Sequence, residues 1–314
     1  MKKLLLMISA LSAGLVSVAQ ADVSVSGSYG LGLASGQGSS STVMSGGAIV
    51  FGLSADLGNG VTVSSGGTIS RDSDGADTST ASTGFTNLTI ATGGSSVVVG
   101  ADVDIAGDGV GELGSVSSDL NDIGGYGTGS VGAGLTDEDG YGVGLTTAFG
   151  TASVTASYIL DASSPSNNAT SSNADTGSGV QITLPMGAMS ITAGMGQDDS
   201  ADGGTHTGIE GSMALGGGTL SVGSFSTAND GSTADTRGYG AKFATTLGSA
   251  SVSVGYRYRD DTTNNRNSTV TSASISQSIG AGASIFIDAA NYSGYTTAAS
   301  DAGTNIAVGT TFSF

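Results

Sequence analysis

Ionisable side chains, the groups best suited to act on an ion or a solute, are few in this chain and unevenly placed. Asp102, Asp104, Asp108, Glu112, Asp119 and Asp122 crowd one stretch, whereas Lys242, Arg257 and Arg259 lie far downstream. Acids on one wall of an aqueous space and bases on the other would orient water and dipolar solutes and disfavour apolar ones. The same groups could also be ordinary solvated charges, with Arg259 at a rim. Asp198, Asp199 and Asp202 could bind calcium together with backbone oxygens, but they lack EF-hand spacing, and such runs are more often solvated loops. His206 is the only histidine and there is no cysteine. A zinc or other transition-metal site therefore lacks a second strong ligand. A hydrolase would have to use His206 as its base, and no nucleophile motif adjoins an acid partner. Residues 109–114, GVGELG, fit G-x-G-x-x-G, a pattern expected by chance among 55 glycines and without a βαβ setting here. Bond chemistry is not expected, and calcium is the one cofactor left open.

The elements that position these groups begin after an export segment. In MKKLLLMISALSAGLVSVAQA, Lys2 and Lys3 precede the apolar run 4–18, and Ala19 and Ala21 flank Gln20. That order of charge, apolar run and small residues is the pattern of a secretory signal. Residues 1–21 are expected to be removed, leaving 22–314. Retention as a membrane anchor fits less well, because Ser9, Ser12 and Ser17 interrupt a short apolar run. The remaining chain carries 26 acidic and, without Lys2 and Lys3, six basic side chains, a formal charge of about −20 that repels nucleic acid and other polyanions. With 55 glycines, abundant Ser and Thr, and few Leu, Lys and Glu, it suits neither a helical protein nor an ordinary soluble core. No mature segment approaches 18 consecutive apolar residues, so membrane-crossing helices are excluded. An acidic, Gly/Ser-rich chain can be disordered. Regular alternation of apolar side chains argues against that.

Segments of about ten residues alternate with a period of two. Val23, Val25, Tyr29, Leu31 and Leu33 share one face, while Ser24, Ser26, Ser28, Gly30 and Gly32 share the other. The pattern repeats in 49–57, 97–103, 141–149, 154–160, 239–247 and 250–258. Short Gly-containing turns fall near Gly58, Gly94, Gly150, Gly187, Gly217, Gly248 and Gly280. They are spaced by roughly 30 to 37 residues, except for one interval of about 56 whose excess lies within 104–138. Longer polar loops, such as 70–83, 161–176 and 260–267, alternate with the turns. Seven turns and eight loops give sixteen strands: an all-β, 16-stranded antiparallel transmembrane β-barrel. Lipid offers the backbone no hydrogen-bond partner, so strands cross only by closing on themselves. A barrel this wide cannot be filled by its own side chains and holds water. Phe149 and Phe314 near the short turns, and Tyr141, Tyr158, Tyr239 and Tyr258 near the loops, would form two interfacial girdles. Soluble sandwiches also carry strand aromatics, and the chain has no Trp. Strand parity then assigns faces. Turning Val97, Val99, Ala101 and Val103 to lipid puts Asp102 and Asp104 inside, at the mouth of the long insertion. Lys242, Arg257 and Arg259 also fall inside, consistent with the roughly 2–4 kcal/mol cost of a base at mid-membrane.

The signal segment, the first strand DVSVSGSYGLGLAS, the third-loop insertion and the closing strand TNIAVGTTFSF together resemble the general porins of Gram-negative bacteria, specifically the alphaproteobacterial type. The resemblance covers the whole mature chain as architecture. Its most specific element is the closing strand, with Ile306, Val308, Phe312 and Phe314 on one face and Phe314 last, similar to the signal read by the outer-membrane insertion machinery. It implies an outer-membrane homotrimer among lipid and lipopolysaccharide, with loop 104–138 folded inward to narrow the barrel. Members usually set a cluster of arginines across the pore from the acidic loop, and this chain has very few. The expected activity is passive diffusion of small hydrophilic solutes and ions, with cations favoured because acids outnumber bases. A different class, a secreted acidic adhesin or surface-layer β-solenoid, would show a shorter constant repeat and no apolar closing strand. An exported enzyme on a barrel scaffold fits least.

Overall fold

The computed structural model describes residues 21–35, 42–73, 82–113, 139–161, 176–199, 204–229, 235–261, 266–294 and 303–314. Residues 1–20 of the expected signal and 114–138 of the insertion lie outside them. The first half of the chain forms β1 (Ala21–Ser35), β2 (Thr42–Asp56), β3 (Val61–Ser73), β4 (Ser82–Thr92), β5 (Ser95–Asp104), β6 (Asp139–Phe149), β7 (Ala152–Asp161) and β8 (Gly177–Met186). The second half forms β9 (Met189–Asp198), β10 (Gly204–Leu215), β11 (Gly218–Asn229), β12 (Thr236–Leu247), β13 (Ala250–Asp261), β14 (Arg266–Gly280), β15 (Ala283–Gly294) and β16 (Gly303–Ser313). Every strand pairs antiparallel with its sequence neighbours, and β1 pairs with β16 to close the barrel. This topology has no place for the stacked coils of a solenoid.

The turn glycines take backbone conformations that other residues adopt only with strain, as at Gly150 (φ 66°) and Gly187 (φ 68°). Strand pairing extends further than the sequence pattern suggested. The loop expected at 70–83 is narrowed by β3 running to Ser73 and β4 starting at Ser82, and the one at 260–267 by β13 reaching Asp261 and β14 starting at Arg266. Polar side chains do not interrupt a backbone ladder. Near this end of the wall Arg237 on β12 even forms an ion pair of 3.0 Å with Asp260 on β13.

Apolar side chains form a continuous exposed band on one face of the wall, including Ile182, Ile209, Val222, Val254, Ile275 and Ile287. Most of their neighbours in sequence are Ser, Thr, Gly, Gln or charged residues, with the buried Phe286 an exception, the pattern of a wall with hydrocarbon outside and water inside. Tyr239 lies 5.2 Å from Tyr258 and 6.4 Å from Tyr256 between ring centroids, a cluster on the outer face towards the loops. Phe149 and Phe314 are largely exposed at the opposite end. At the seam, Gly27 N donates to Phe314 O at 3.1 Å and Phe314 N donates to Gly27 O at 3.0 Å. The Phe314 ring covers Gly27, occupying the space a side chain there would need.

Candidate functional site

The described start of the insertion, residues 105–113, follows a break in the alternation of β5. Gly100 pairs with Gly142 but Val103, three residues on, pairs with Gly140, so the strand carries a bulge. The extra residue reverses the faces that follow it. Val103 therefore turns inward, where it is buried with Ile105 and Ile159 of β7, near Val98. Asp104, expected inside, instead pairs with Asp139 on the face of Tyr141 and is exposed. The side chain of Asp102, within the bulge, lies outside the described set.

From this anchor residues 105–113 run along the inner wall from β7 to β13. Ala106 N donates to Ser157 Oγ at 2.6 Å. Two successive turns follow, closed by Asp108 N donating to Ile105 O (3.2 Å) and Glu112 N donating to Gly109 O (3.1 Å). Each has glycine third, Gly107 at φ 89° and Gly111 at φ 87°, as type II geometry demands. The backbone rests on glycines of the wall. A methyl group at Gly179 (β8), Gly208 (β10) or Gly240 (β12) would overlap the carbonyl oxygens of Ala106, Val110 and Leu113 respectively. One at Gly194 (β9) or Gly223 (β11) would come within 2.7 Å of Gly107 Cα or 2.8 Å of Gly111 Cα.

Two side chains of the wall hold the segment down. His206 of β10 is fully buried beneath it. Its Nε2 lies 3.1 Å from Val110 O, its Nδ1 lies 3.0 Å from Thr227 Oγ1, and its ring stacks on Phe225 of β11. A carbonyl only accepts, so Nε2 carries the proton. Arg257 of β13 donates through Nε to Leu113 O at 3.2 Å and through its second guanidinium nitrogen to Glu112 O. Asp108 Oδ1 and Glu112 Oε1 each lie 3.7 Å from His206 Nδ1, and Glu112 Oε2 lies 3.7 Å from Arg257. These two acids were expected to face bases across an aqueous gap. They point instead into the wall on which their own segment lies, and their side chains are almost entirely buried. The physical reason is the turn geometry: glycine at each third position brings the following acid back over the wall.

Of the other expected site residues, Lys242 falls on the inward face of β12, two residues from Gly240, and Arg259 on that of β13, two residues beyond Arg257. Asp119 and Asp122 lie outside the described residues. Asp198 is buried on the inner face of β9, while Asp199 is exposed and accepts hydrogen bonds from Thr176 and Gln197, both 2.9 Å. Asp202 lies outside the described residues, among which no three His, Cys, Asp or Glu side chains converge on a metal site. Reading His206 from the sequence as a metal ligand or base misses its place beneath the insertion. Its parity, opposite to Ile209 and Met213, was the available signal that it faces inward.

A family model described as Gram-negative porin matches residues 6–297. The chain belongs to the Gram-negative porin family. Its barrel is also similar to solved structures of porins at low sequence identity, which speaks to the fold. In the trimer form of in-vitro folded OmpT, an outer membrane protein of Vibrio cholerae, the TM-score is 0.69 at 15% identity, covering 94% of this chain and 99% of that one. An anion-selective porin from Comamonas acidovorans gives 0.64 at 14% identity, covering 94% and 100%. Salmonella typhi OmpF, in complex with daunomycin, gives 0.66 at 11% identity, covering 93% and 97%. No curated protein sequence matches the chain. As a member of this family the porin resides in the outer membrane, and its closed sixteen-stranded barrel is the family's channel architecture.

Proposed function

We propose that this porin is a passive diffusion channel for small hydrophilic solutes and ions, narrowed by the insertion 104–138. The observation that carries this reading is the seating of residues 105–113 on the inner wall of a closed barrel, from β7 to β13. A segment in that position occupies lumen cross-section while leaving the strands paired. The reading implies a weak cation preference. Acids greatly outnumber bases, which favours cations at the mouths. However, Glu112 sits against Arg257, so part of the acidic field within the lumen is compensated. Passage itself breaks no bond and requires no cofactor. The trimeric state of the similar Vibrio cholerae protein supports a homotrimer here, with lipid and lipopolysaccharide around it. Removal of residues 1–21 and membership of the alphaproteobacterial type complete the reading and rest on the sequence features alone. The test is a planar bilayer holding the purified mature protein under a potassium chloride gradient. A small reversal potential of the sign for potassium over chloride is expected. An anion-selective potential would overturn the electrostatic part.

A further inference from the structure

Glycine within a strand weakens it, lacking a side chain to pack and losing more freedom on folding, and so marks places where another backbone comes close. In a chain with 55 glycines their number carries no message, but their register does. On the inward face, Gly179 pairs with Gly196, Gly194 with Gly208, and Gly223 with Gly240. Together they run obliquely across β8 to β12 beneath the path of residues 106–113, and Arg257 lies opposite Gly240 at the end of the track. The contact is reciprocal. Methyl groups at Gly107 and Gly111 of the insertion would overlap Val180 O and Ser224 O of the wall. Other tight glycines, such as Gly142, Gly218, Gly238 and Gly309, abut neighbouring strands rather than the insertion, whereas Gly144, also facing inward, would meet nothing closer than 3.7 Å and Gly211, on the outer face, only Ser190 O at 3.7 Å.

We infer that this track of wall glycines determines how far the insertion stands into the lumen, and so sets the size of solute the channel passes. Gly179, Gly194, Gly208, Gly223 and Gly240 are positioning residues in this account; they touch the insertion and not the solute. The inference rests on the diffusion reading above. Strands paired on both sides cannot yield, so a side chain added to the track displaces the lighter partner, the insertion, towards the pore axis. A methyl group carries no charge, so the net charge of the lumen is unchanged while the free cross-section shrinks.

The experiment compares single-channel conductance, reversal potential, and liposome swelling with sugars of increasing size for wild type, Gly208→Ala, Gly208→Val, Gly223→Ala and, as control, Gly211→Ala. Folding of each is read from the heat-dependent shift in gel mobility. The expected result is a conductance that falls from wild type through Gly208→Ala to Gly208→Val. The larger sugars should slow first, the reversal potential should stay unchanged, and Gly211→Ala should match wild type. A defect of stability alone would lower the temperature of the mobility shift without this graded loss. Gly223→Ala, where the methyl group meets the insertion at 2.8 Å, carries the test if the Gly208 variants do not fold. Folded variants with wild-type or larger conductance overturn the glycine track and leave the diffusion reading standing. Wild-type protein that does not conduct overturns both.

Discussion

At the scale of single residues, the insertion is fastened by two side chains of the wall, one charged and one an imidazole. Arg257 spans the end of the segment, reaching two backbone carbonyls and the Glu112 carboxylate, while His206 fills the gap beneath Val110. Hydrogen bonds from a charged donor are the strong ones, and carbonyls left without them in a confined place are costly. Arg257→Met should therefore weaken the docking of residues 105–113 by about 2 kcal/mol or more while sparing the strands. The measurable result is an increase in open-channel current noise and in protease cutting within 105–138, with an unchanged heat-dependent mobility shift. Had the arginine acted only through its charge in the lumen, Arg257→Lys would behave as wild type. Because lysine lacks the planar fork that serves two carbonyls, that variant is expected to be noisy as well.

At the scale of the elements, alternation decides what meets lipid and what meets water, and one bulge redirects it. In β14, Ile275 is outward and Ser274 inward, facing the side of the wall that carries Asp288 of β15. Ile275→Arg should destabilise the barrel by roughly 2–4 kcal/mol, its cost depending on depth, whereas Ser274→Arg should cost far less. Denaturant unfolding of both variants in lipid vesicles measures the difference. The bulge between Gly100 and Val103 makes a second prediction, which the absence of native cysteine allows to be tested cleanly. Asp104→Cys should react readily with a water-soluble thiol reagent, and Val103→Cys, packed against Ile105 and Ile159, should be protected. The opposite order would restore uninterrupted alternation through β5.

The limit of what the sequence reveals lies at this same place. Sixteen strands, their order, the seven turn glycines and most inward and outward assignments are legible because lipid imposes a period of two over many residues. Strands β12 and β13 follow that period without interruption, so the inward placement of Lys242 and Arg257 could be read from their neighbours. In β5 the apolar residues Val97, Val99, Ala101 and Val103 continue the outward row in sequence, and the bulge leaves no mark in composition. Asp104 was misplaced for that reason. The burial of Asp108 and Glu112 against their own wall was also hidden. It depends on two turns and on backbone-to-glycine contacts between segments far apart in the chain. Nothing in the order of residues distinguishes these wall glycines from the many others.

At the scale of the whole molecule, the porin is a closed wall with residues 105–113 seated on its inner face. The lumen within such a wall should conduct in proportion to its narrowest cross-section, and selectivity should follow the charges that remain uncompensated there. The most direct measurement is single-channel conductance in planar bilayers for the mature porin beside a variant in which residues 106–137 are replaced by an Asn-Gly turn, a connection suited to a short hairpin. The account predicts stepwise, ohmic conductance for the full chain and clearly larger steps, with weaker discrimination among sugars, for the shortened one. Equal or smaller steps from a correctly folded shortened barrel would contradict it.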